Sequence, residues 1–351
     1  MTTKTSEFDY LLPPELIAQE PSRPRDNSRL LVLNRKTGNI EHRRFFELGE
    51  YLRPGDLLVV NQSKVFKARL SATMGAELPD TGRGNRAPTK IEIFLIRPEG
   101  DSWIALAKPG KKLKVNSKII FADGTVAEVM GKKEDGTVLI KFQKTFEEII
   151  SWADRVGQVP VPPYVKHVPE QESDYQTVYA KTVGSVAAPT AGFHFTKELI
   201  EKLKSQDVNF AYLTLHVGLG TFRPIKTENL EEHKMHEEWI EVPKETIQAI
   251  KETKKRGGRV IAVGTTSVRA LESAVRLGDE NGYTGFTSLF ITPGFEFKIV
   301  DSMITNFHLP RSSLLVLVSS FANKDLILKA YSQAVQLGYR FYSFGDAMLI
   351  K

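Results

Sequence analysis

Five short apolar or alternating runs, spaced evenly between Ile91 and Phe142, restrict the fold of this chain more than any other feature of its sequence. They read IEIFLI, WIALA, KIIFA, VAEVM and VLIKF, and Pro-Gly, Asn-Ser and Asp-Gly turns separate them. Runs of this length and spacing are typical of strands and leave no room for helices between them. We therefore predict an all-β module, a small barrel of about six strands.

The carboxyl-terminal half of the chain has a different pattern, in which strands and helices alternate. A helix over Phe146–Val156 and the extended segment VPVPPY connect the two patterns. Further on, Thr196 can cap a helix, Pro243 suits a first helical position, and Gly257 with Gly258 can end that helix. Two more helices are predicted at about 267–277 and 324–337, and 314–321 fits either a buried helix or a strand. This alternation predicts an α/β core.

The length of 351 residues favours two domains. Because Asp9 to Val60 also has the pattern of core strands, the β module is expected to be inserted into the core. The predicted fold is thus an α/β core with an inserted small all-β barrel. The core comprises residues 1–65 and 150–351 and holds the catalytic site, and the barrel comprises residues 66–149.

The absence of cysteine and of long apolar segments indicates the compartment in which the protein works. The chain has no cysteine, so disulfides and thiolate metal sites are impossible, and a reducing cytoplasm is expected. The amino-terminal stretch MTTKTSEFDYLLP lacks the apolar segment of a signal peptide, and no stretch reaches about 18 uninterrupted apolar residues. We expect a protein that is neither secreted nor embedded in a membrane.

Positive charge is concentrated in one part of the chain. The net charge is +6, and between Asn61 and Lys118 there are 12 Lys and Arg against 5 Asp and Glu, a local excess of +7. Two interpretations stay open: an ordinary solvated lysine-rich surface, or a binding surface for phosphates.

Four segments carry polar residues where strands are predicted to end, which is where α/β sheets bind ligands. PTAGFHF contains His194 between two phenylalanines, a setting that also suits a packed core residue. TLHVGLGTFRP has the glycine pair Gly218 and Gly220, which serves either an anion loop or an ordinary turn. VGTTSVRALES begins a helix with hydroxyl residues, which suits an anion site or simple helix capping.

The fourth segment, DSMITNFHLPRSSLL, is the densest in polar groups. Asp301, Thr305, Asn306 and His308 lie within eight positions, followed by Pro310. Acid, base and amide groups in so short a stretch favour a site over a simple turn.

Several site classes are not supported by the sequence. His233 and His236 are three positions apart, but no cysteine is present and the following glutamates do not complete a zinc-protease motif. Neither a Walker A motif nor GxGxxG occurs. We expect no metal, and neither an ATPase nor a standard dinucleotide enzyme.

Motifs along nearly the whole chain resemble those of the S-adenosylmethionine:tRNA ribosyltransferase-isomerase family of the queuosine pathway. The densest are QTVYAKTVGSVAAPTAGFHF, TLHVGLGTFRPI, HKMHEEW, VGTTSVRALES, DSMITNFHLPRSSLL and GYRFYSFGDAMLI. Further matches are FDYLLPPELIAQEPSRPRDNSRLLVLNR, GDLLVVNQSKVFKARL and WIALAKPGKKLK.

The resemblance implies that S-adenosylmethionine is a co-substrate that donates its ribosyl group. The acceptor would be 7-aminomethyl-7-deazaguanine at the wobble position of a tRNA, and the product epoxyqueuosine, with adenine and methionine released. It further implies an α/β core with an inserted barrel, no metal or permanently bound cofactor, and a single chain as the functional unit, without an obligate protein partner.

This chemistry needs at least two groups that handle protons, and histidine is the natural supplier. We expect His308 to take part, oriented by Asp301 or Asn306, with His194 or His216 as the second group. The residues expected to bind substrate are Thr190, Gly192, Gly218, Gly220, Arg223, Thr265, Thr266, Ser267 and Arg269. Contacts with the anticodon arm of tRNA are expected from Lys108, Lys111, Lys112 and Lys114.

Two alternative functions remain at the level of the sequence. An RNA methyltransferase would use the same co-substrate but transfer its methyl group. A non-enzymatic tRNA-binding factor would need only the basic β module, and it would leave the four polar segments unexplained.

Overall fold

The computed structural model of the chain describes residues 2–74, 89–162, 164–165, 171–218 and 224–351. The chain divides into two compact units, one comprising Met1–Lys64, Pro162–Thr182 and Ala188–Lys351, the other Val65–Val161 and Val183–Ala187. The first contains a large sheet with helices and the second a closed barrel. The predicted fold class, an α/β core with an inserted β-barrel, is confirmed.

The described residues form the following strands and helices. The strands are β1 (Arg29–Leu33), β2 (Ile40–Arg44), β3 (Leu57–Asn61), β4 (Ser63–Val65), β5 (Arg69–Met74), β6 (Thr89–Glu99), β7 (Ser102–Lys108), β8 (Lys118–Phe121), β9 (Val126–Lys132), β10 (Val138–Phe142), β11 (Thr182–Ser185), β12 (Asn209–Leu215), β13 (Glu238–Pro243), β14 (Val260–Val263), β15 (Gly282–Thr287), β16 (Ser302–Asn306) and β17 (Ala347–Ile350). The helices are α1 (Phe146–Val156), α2 (Lys197–Lys204), α3 (Lys244–Lys255), α4 (Thr265–Leu277), α5 (Ser313–Phe321) and α6 (Lys324–Gln336).

The core sheet has nine strands in the order β15-β13-β12-β3-β14-β16-β17-β1-β2. Its four central strands, β12, β3, β14 and β16, are parallel to one another. Every residue of β3, β14 and β16 is buried, as expected for parallel strands covered on both faces. The carboxyl ends of these four strands therefore meet at one edge of the sheet, the usual place for a ligand in an α/β fold.

The core helices lie close to their predicted positions. Thr196 caps α2, with its side-chain oxygen accepting a hydrogen bond from the Leu199 N–H. Pro243 precedes α3 as its N-cap, because its backbone is still extended. The ambiguous apolar segment is the helix α5, whose nine residues include eight that are buried and whose first turn is capped by Ser312.

The barrel closes through six strands in the order β10-β7-β6-β5-β8-β9. Helix α1 belongs to the same unit, since the ring of Trp152 packs against Phe121 and Phe142 and its indole N–H donates to Asp123. The sequence-based boundary at residue 149 would divide this helix, whereas the compact unit continues to Val161. The sequence of an amphipathic helix shows that one face is buried, but it does not show which unit buries that face.

Within the described part of the chain, no helix is both long and apolar enough to cross a membrane. The same residues contain no group of three or more His, Asp or Glu side chains arranged to hold a metal ion.

Candidate active site

A small cleft with a cavity volume of about 40 Å³ lies at the carboxyl ends of the central strands. Three of the four sequence segments provide walls of the cleft, namely 188–191, 264–266 and 305–308, and Val217 represents the fourth. The cleft therefore unites segments that are more than a hundred residues apart in sequence.

The amino-terminal end of α4 forms one wall of the cleft. Gly264 precedes the helix with a φ of 89°, a left-handed conformation that suits glycine. As the N-cap residue it has no side chain to cap the helix, and no other described side chain accepts a hydrogen bond from the first-turn amides. Thr266 lines the cleft, and its hydroxyl is buried without a hydrogen-bond partner among the described residues. Free first-turn amides beside such a hydroxyl suit an anion or a hydroxyl group of a ligand.

Ser267 and Arg269 do not reach the cleft as expected. The Ser267 hydroxyl donates to the Val263 carbonyl at 2.7 Å, one turn back, and the residue is fully buried. The Arg269 guanidinium is buried against the Glu238 carboxylate and donates through Nε to the Leu289 carbonyl. The expectation that these two side chains bind substrate therefore disagrees with the structure, which gives them partners inside the protein.

Glu238 connects Arg269 to the TLHVG segment. Its second carboxylate oxygen accepts the Gly218 N–H at 3.0 Å. Arg269 thus supports the segment that follows β12, instead of lining the cleft itself. Gly220 and Arg223 lie outside the described residues, so their predicted roles stay predictions.

His308 lies in the cleft wall just after β16 and is only 4% exposed. Its Nε2 is 3.2 Å from the Thr305 hydroxyl and its Nδ1 is 3.3 Å from the Tyr331 hydroxyl. The Tyr10 hydroxyl donates to the His308 carbonyl at 2.5 Å. Burial lowers the pKa of the imidazole to about 3, so His308 is neutral at pH 7.

His194 belongs to a neighbouring small cavity that also includes Arg25 and Ser28. Its Nδ1 is 2.7 Å from the Ser28 hydroxyl, and its Nε2 is 3.1 Å from the side-chain nitrogen of Asn306. An amide nitrogen only donates, so Nε2 accepts and Nδ1 carries the proton. Burial, with nearby Arg340 and Arg25, lowers its pKa to about 3.

Asn306 is a contact of His194 and not of His308. Its side-chain oxygen accepts the Thr190 hydroxyl at 3.3 Å, and its nitrogen donates to the Tyr342 carbonyl at 3.2 Å. Thr190 and Asn306 both line the cleft. The structure therefore brings Thr190, Asn306 and His194 together, with Asn306 orienting a different histidine from the one predicted.

Asp301 lies at the opposite end of β16 from Asn306 and His308. Five residues of strand, roughly 16 Å, separate it from Asn306. Its carboxylate accepts from the Lys254 ammonium at 2.6 Å and from the Val260 N–H at 2.7 Å. The expectation that Asp301 orients His308 is therefore wrong, because adjacency in sequence along an extended strand is not adjacency in space.

His216 follows β12 and is partly buried. Its ring stacks on Trp239, with centroids 5.0 Å apart and planes at 19°, and its Nδ1 is 3.2 Å from the Ser63 hydroxyl. Burial lowers its pKa to about 4. Val217, the next residue, lines the cleft.

Gly192 has a packing role beside the cleft. A Cβ at this position would lie 2.0 Å from the Tyr179 hydroxyl, so only glycine fits there. It holds the PTAGFHF segment close to the core and is not among the residues that line the cleft.

Two cleft residues, Tyr342 and Ser343, were not singled out by the sequence analysis. Tyr342 has a φ of 74°, a left-handed conformation that is strained for a residue with a side chain. Its N–H donates to the Phe307 carbonyl while its own carbonyl accepts from Asn306. Their motif GYRFYSFGDAMLI was a match to the family, and that was the one signal in the sequence that could have identified them.

The four predicted tRNA-contact lysines lie in the barrel unit, at and after the end of β7. All four side chains are exposed, namely Lys108, Lys111, Lys112 and Lys114. None of them forms a salt bridge with another described residue. The Lys132 ammonium lies at the same turn, because it donates a hydrogen bond to the Gly110 carbonyl. This turn presents a compact positive surface.

Known proteins resemble this chain over its whole length. The family model described as "Queuosine biosynthesis protein" matches residues 5–350. The chain is 55% identical to the S-adenosylmethionine:tRNA ribosyltransferase-isomerase of Thermotoga maritima and 51% identical to that of a Sulfurihydrogenibium species, with 99% of each chain covered in both cases. A crystal structure of the S-adenosylmethionine tRNA ribosyltransferase from Thermotoga maritima aligns with a TM-score of 0.58 and 46% identity, covering 99% of this chain and all of that one.

Proposed function

This chain belongs to the queuosine biosynthesis protein family, and we infer that it is an S-adenosylmethionine:tRNA ribosyltransferase-isomerase. The reaction moves the ribosyl group of S-adenosylmethionine to 7-aminomethyl-7-deazaguanine at the wobble position of a tRNA and isomerises it. The product is epoxyqueuosine, and adenine and methionine are released.

The observation that carries this inference is the match of one enzyme family to residues 5–350, which includes every segment of the cleft. The identity of about half of all residues over 99% of the chain extends the match to both units. The comparisons give no support to a methyltransferase or to a non-enzymatic binding factor.

We propose that the cleft binds S-adenosylmethionine, with α4 directed at one of its polar groups. The uncapped amides and the partnerless Thr266 hydroxyl suit a carboxylate or a ribose hydroxyl, both of which this molecule carries. Thr190 and Thr265 supply further hydroxyls to the same walls. The cleft residues alone provide these contacts, and no permanently bound cofactor is required in the proposal.

His308 is proposed to take part in proton transfer. It lines the cleft as a neutral imidazole, held through both ring nitrogens by Thr305 and Tyr331. Adenine needs a proton to leave as a neutral base, and the attacking amine must lose one. A fixed neutral imidazole next to the substrate can accept the proton of the amine and, once protonated, can pass it to adenine.

The tRNA is proposed to contact the barrel through Lys108, Lys111, Lys112 and Lys114. Exposed ammonium groups attract phosphates, and tRNA carries phosphates in a regular array. These four side chains are exposed and form no salt bridge with another residue that the structure describes. We further propose that the protein works in the cytoplasm, where tRNA is modified, as a single chain with no obligate protein partner.

A single-turnover assay tests the proposed function. The enzyme is mixed with S-adenosylmethionine and tRNA that carries 7-aminomethyl-7-deazaguanine, and the released small molecules are separated. Equal amounts of adenine and methionine are expected, in step with the modified tRNA. Release of S-adenosylhomocysteine instead would identify a methyltransferase, and no turnover with intact tRNA binding would favour a binding factor.

A further inference from the structure

We propose that His216 is the base that accepts a proton from the substrate through Nε2, and that Ser63 is a positioning residue that fixes its tautomer. The inference rests on the reaction inferred above, in which a base must remove a proton from the substrate. The supporting observation is the set of hydrogen bonds around the Ser63 hydroxyl.

The Ser63 hydroxyl has a single proton to donate. Two groups lie within hydrogen-bonding distance of its oxygen, the Leu215 carbonyl at 2.7 Å and Nδ1 of His216 at 3.2 Å. Because a carbonyl oxygen can only accept, the shorter contact requires the hydroxyl proton to lie between Ser63 and Leu215. The contact with His216 then requires Nδ1 to carry the proton and donate it to Ser63. In this tautomer Nε2 has a free lone pair and is the basic nitrogen.

Asn61, at the end of β3, holds Ser63 in place. Its side-chain oxygen accepts the N–H groups of Ser63 and Leu215 at 3.0 and 3.1 Å, and its side-chain nitrogen donates to the Leu215 carbonyl at 2.9 Å. Asn61 and Ser63 are both fully buried. The Ser63 hydroxyl, which accepts the Nδ1 proton, is therefore held in a hydrogen-bond network with Asn61 and Leu215.

Trp239 fixes the plane of the imidazole. The backbone N–H of His216 donates to the Trp239 carbonyl at 2.9 Å, and the two rings stack. Because the stack sets the plane of the ring and the contact of Nδ1 with Ser63 sets its rotation, Nε2 has a defined direction. Once the ring is protonated, the indole face also stabilises the imidazolium through a cation–π interaction.

His216 differs in this respect from the two other candidate histidines. His194 and His308 have hydrogen-bond partners at both ring nitrogens. Nε2 of His216 has none among the described residues, and the side chain is partly exposed beside the cleft residue Val217. His216 and His308 follow β12 and β16, two strands that lie three positions and about 14 Å apart in the sheet. His308 and Val217, the neighbour of His216, line the cleft.

The step assigned to His216 is removal of a proton from the 5′ carbon of S-adenosylmethionine. The C–H bond breaks, its electron pair stays on the carbon beside the sulfonium, and the proton forms an N–H bond at Nε2. The positive sulfur acidifies this carbon and stabilises the pair, so no further reactant is needed. The burial that lowers the pKa of His216 to about 4 keeps Nε2 unprotonated at pH 7.

The tautomer can be measured without any change to the protein. Nitrogen-15 NMR of histidine-labelled enzyme distinguishes a protonated Nδ1 from a protonated Nε2, and the His216→Asn variant assigns the signal. Wild-type His216 is expected to carry its proton on Nδ1, and Ser63→Ala is expected to shift the population toward the other tautomer. A proton on Nε2 in the wild-type enzyme would overturn the proposal.

Turnover is measured in the same variants. His216→Asn retains a donor near Nδ1 and removes Nε2, and it is expected to slow single-turnover adenine release by about 10²–10⁴-fold. Ser63→Ala is expected to slow it by about threefold to tenfold with KM little changed, the effect of one hydrogen bond. His42→Asn is the matched control, a partly buried histidine on β2, and is expected to turn over at the wild-type rate.

Exchange of the 5′ hydrogens separates failure of this proposal from failure of the proposed function. S-adenosylmethionine deuterated at the 5′ carbon is expected to lose label to water in the wild-type enzyme and to keep it with His216→Asn. A wild-type rate of release and exchange in folded His216→Asn would refute the role of His216 and leave the function intact. If the wild-type enzyme itself released no adenine, the proposed function would be wrong, whatever the tautomer.

Discussion

The three candidate histidines differ in how their ring nitrogens are used. His194 and His308 are almost fully buried with both nitrogens bonded, whereas His216 has one nitrogen free of partners among the described residues. Burial lowers the pKa of all three to about 3 or 4. Each therefore enters the reaction at pH 7 as a neutral imidazole, and its role depends on tautomer and contacts rather than on charge.

Replacing His308 with alanine is expected to slow adenine release by about 10²–10⁴-fold, the usual contribution of a positioned proton-transfer group. It is also expected to lower the free energy of unfolding by about 1–3 kcal/mol, because Thr305 and Tyr331 lose a partner in a buried setting. Single-turnover kinetics and denaturant unfolding measure the two effects.

Tyr331→Phe is the control for stability in this experiment. It removes the hydroxyl that contacts His308 and keeps the ring, so it is expected to be destabilised but to turn over within about tenfold of wild type. A wild-type rate in His308→Ala would exclude His308 from the mechanism.

Acid is expected to destabilise the protein through His194 and His308. An unfolded histidine has a pKa near 6.5, whereas the folded values are about 3. The unfolded state therefore binds more protons between these values, so stability is complete above pH 6.5 and falls as the pH drops toward 3. The loss is at most about 1.4 kcal/mol per pH unit for each histidine.

Urea unfolding between pH 7.5 and pH 4.5 measures this dependence. Arg25 and Arg340 face His194 and act in the same direction as burial, while burial alone accounts for the shift at His308. His194→Gln and His308→Gln cannot take up the proton, so each is expected to show a shallower loss than wild type. Parallel curves for wild type and both variants would contradict the prediction.

At the scale of elements, two features among the described residues offer polar or charged groups to a ligand: the amino-terminal end of α4 and the positive turn of the barrel. The first has uncapped amides beside the Thr266 hydroxyl. The second has exposed lysines without ion pairs among the described residues. In both elements, polar or charged groups are available to bind a ligand and are not used by hydrogen bonds or ion pairs among the described residues.

Thr266→Val is expected to weaken S-adenosylmethionine binding by about twofold to tenfold, the effect of one hydrogen bond. The free energy of unfolding should be unchanged or higher, since the hydroxyl has no partner in the described structure. Thr214→Val is the matched control, because its buried hydroxyl is equally without a partner and does not line the cleft. Isothermal titration calorimetry that finds equal affinities for both variants would refute the assignment.

Ser267 is unsuited to the same test. It is fully buried and its hydroxyl donates to Val263, so Ser267→Glu would bury a carboxylate and report on folding instead of binding.

Replacing Lys108, Lys111, Lys112 and Lys114 together with glutamine is expected to weaken tRNA binding and leave S-adenosylmethionine binding unchanged. Each lost phosphate contact should also reduce the slope of log affinity against log salt by about 0.7–0.9. The matched control replaces four exposed lysines on α2 and α3, namely Lys197, Lys202, Lys251 and Lys255. Equal tRNA affinity and salt slope in the two quadruple variants would show that the barrel turn makes no specific contribution.

At the scale of the whole molecule, the two units are expected to respond to different substrates. The cleft lies entirely within the core unit and the lysine turn entirely within the barrel unit. S-adenosylmethionine should therefore slow hydrogen exchange at the start of α4 and around 305–308, and tRNA should slow it in 108–114. Hydrogen exchange with each substrate alone measures this, and protection of the barrel turn by S-adenosylmethionine would contradict the division.

The sequence by itself determined the fold class, the helices and the four polar segments, because these depend on local patterns: the spacing of apolar residues, capping residues and turn residues. The positions of α1, α2 and α4 followed from such signals. The motifs also identified the family, which no physical argument from composition could have supplied.

Only the tertiary structure decided which polar residues meet. Asp301 and His308 are close in sequence but lie at opposite ends of β16, and Ser63 and His216 are 153 positions apart but touch. Register within the parallel sheet decides such neighbours, because it aligns the ends of strands that are distant in the chain. The tautomer of His216 depends in turn on a carbonyl and a hydroxyl that these strands bring together, and no local pattern in the sequence contains that information.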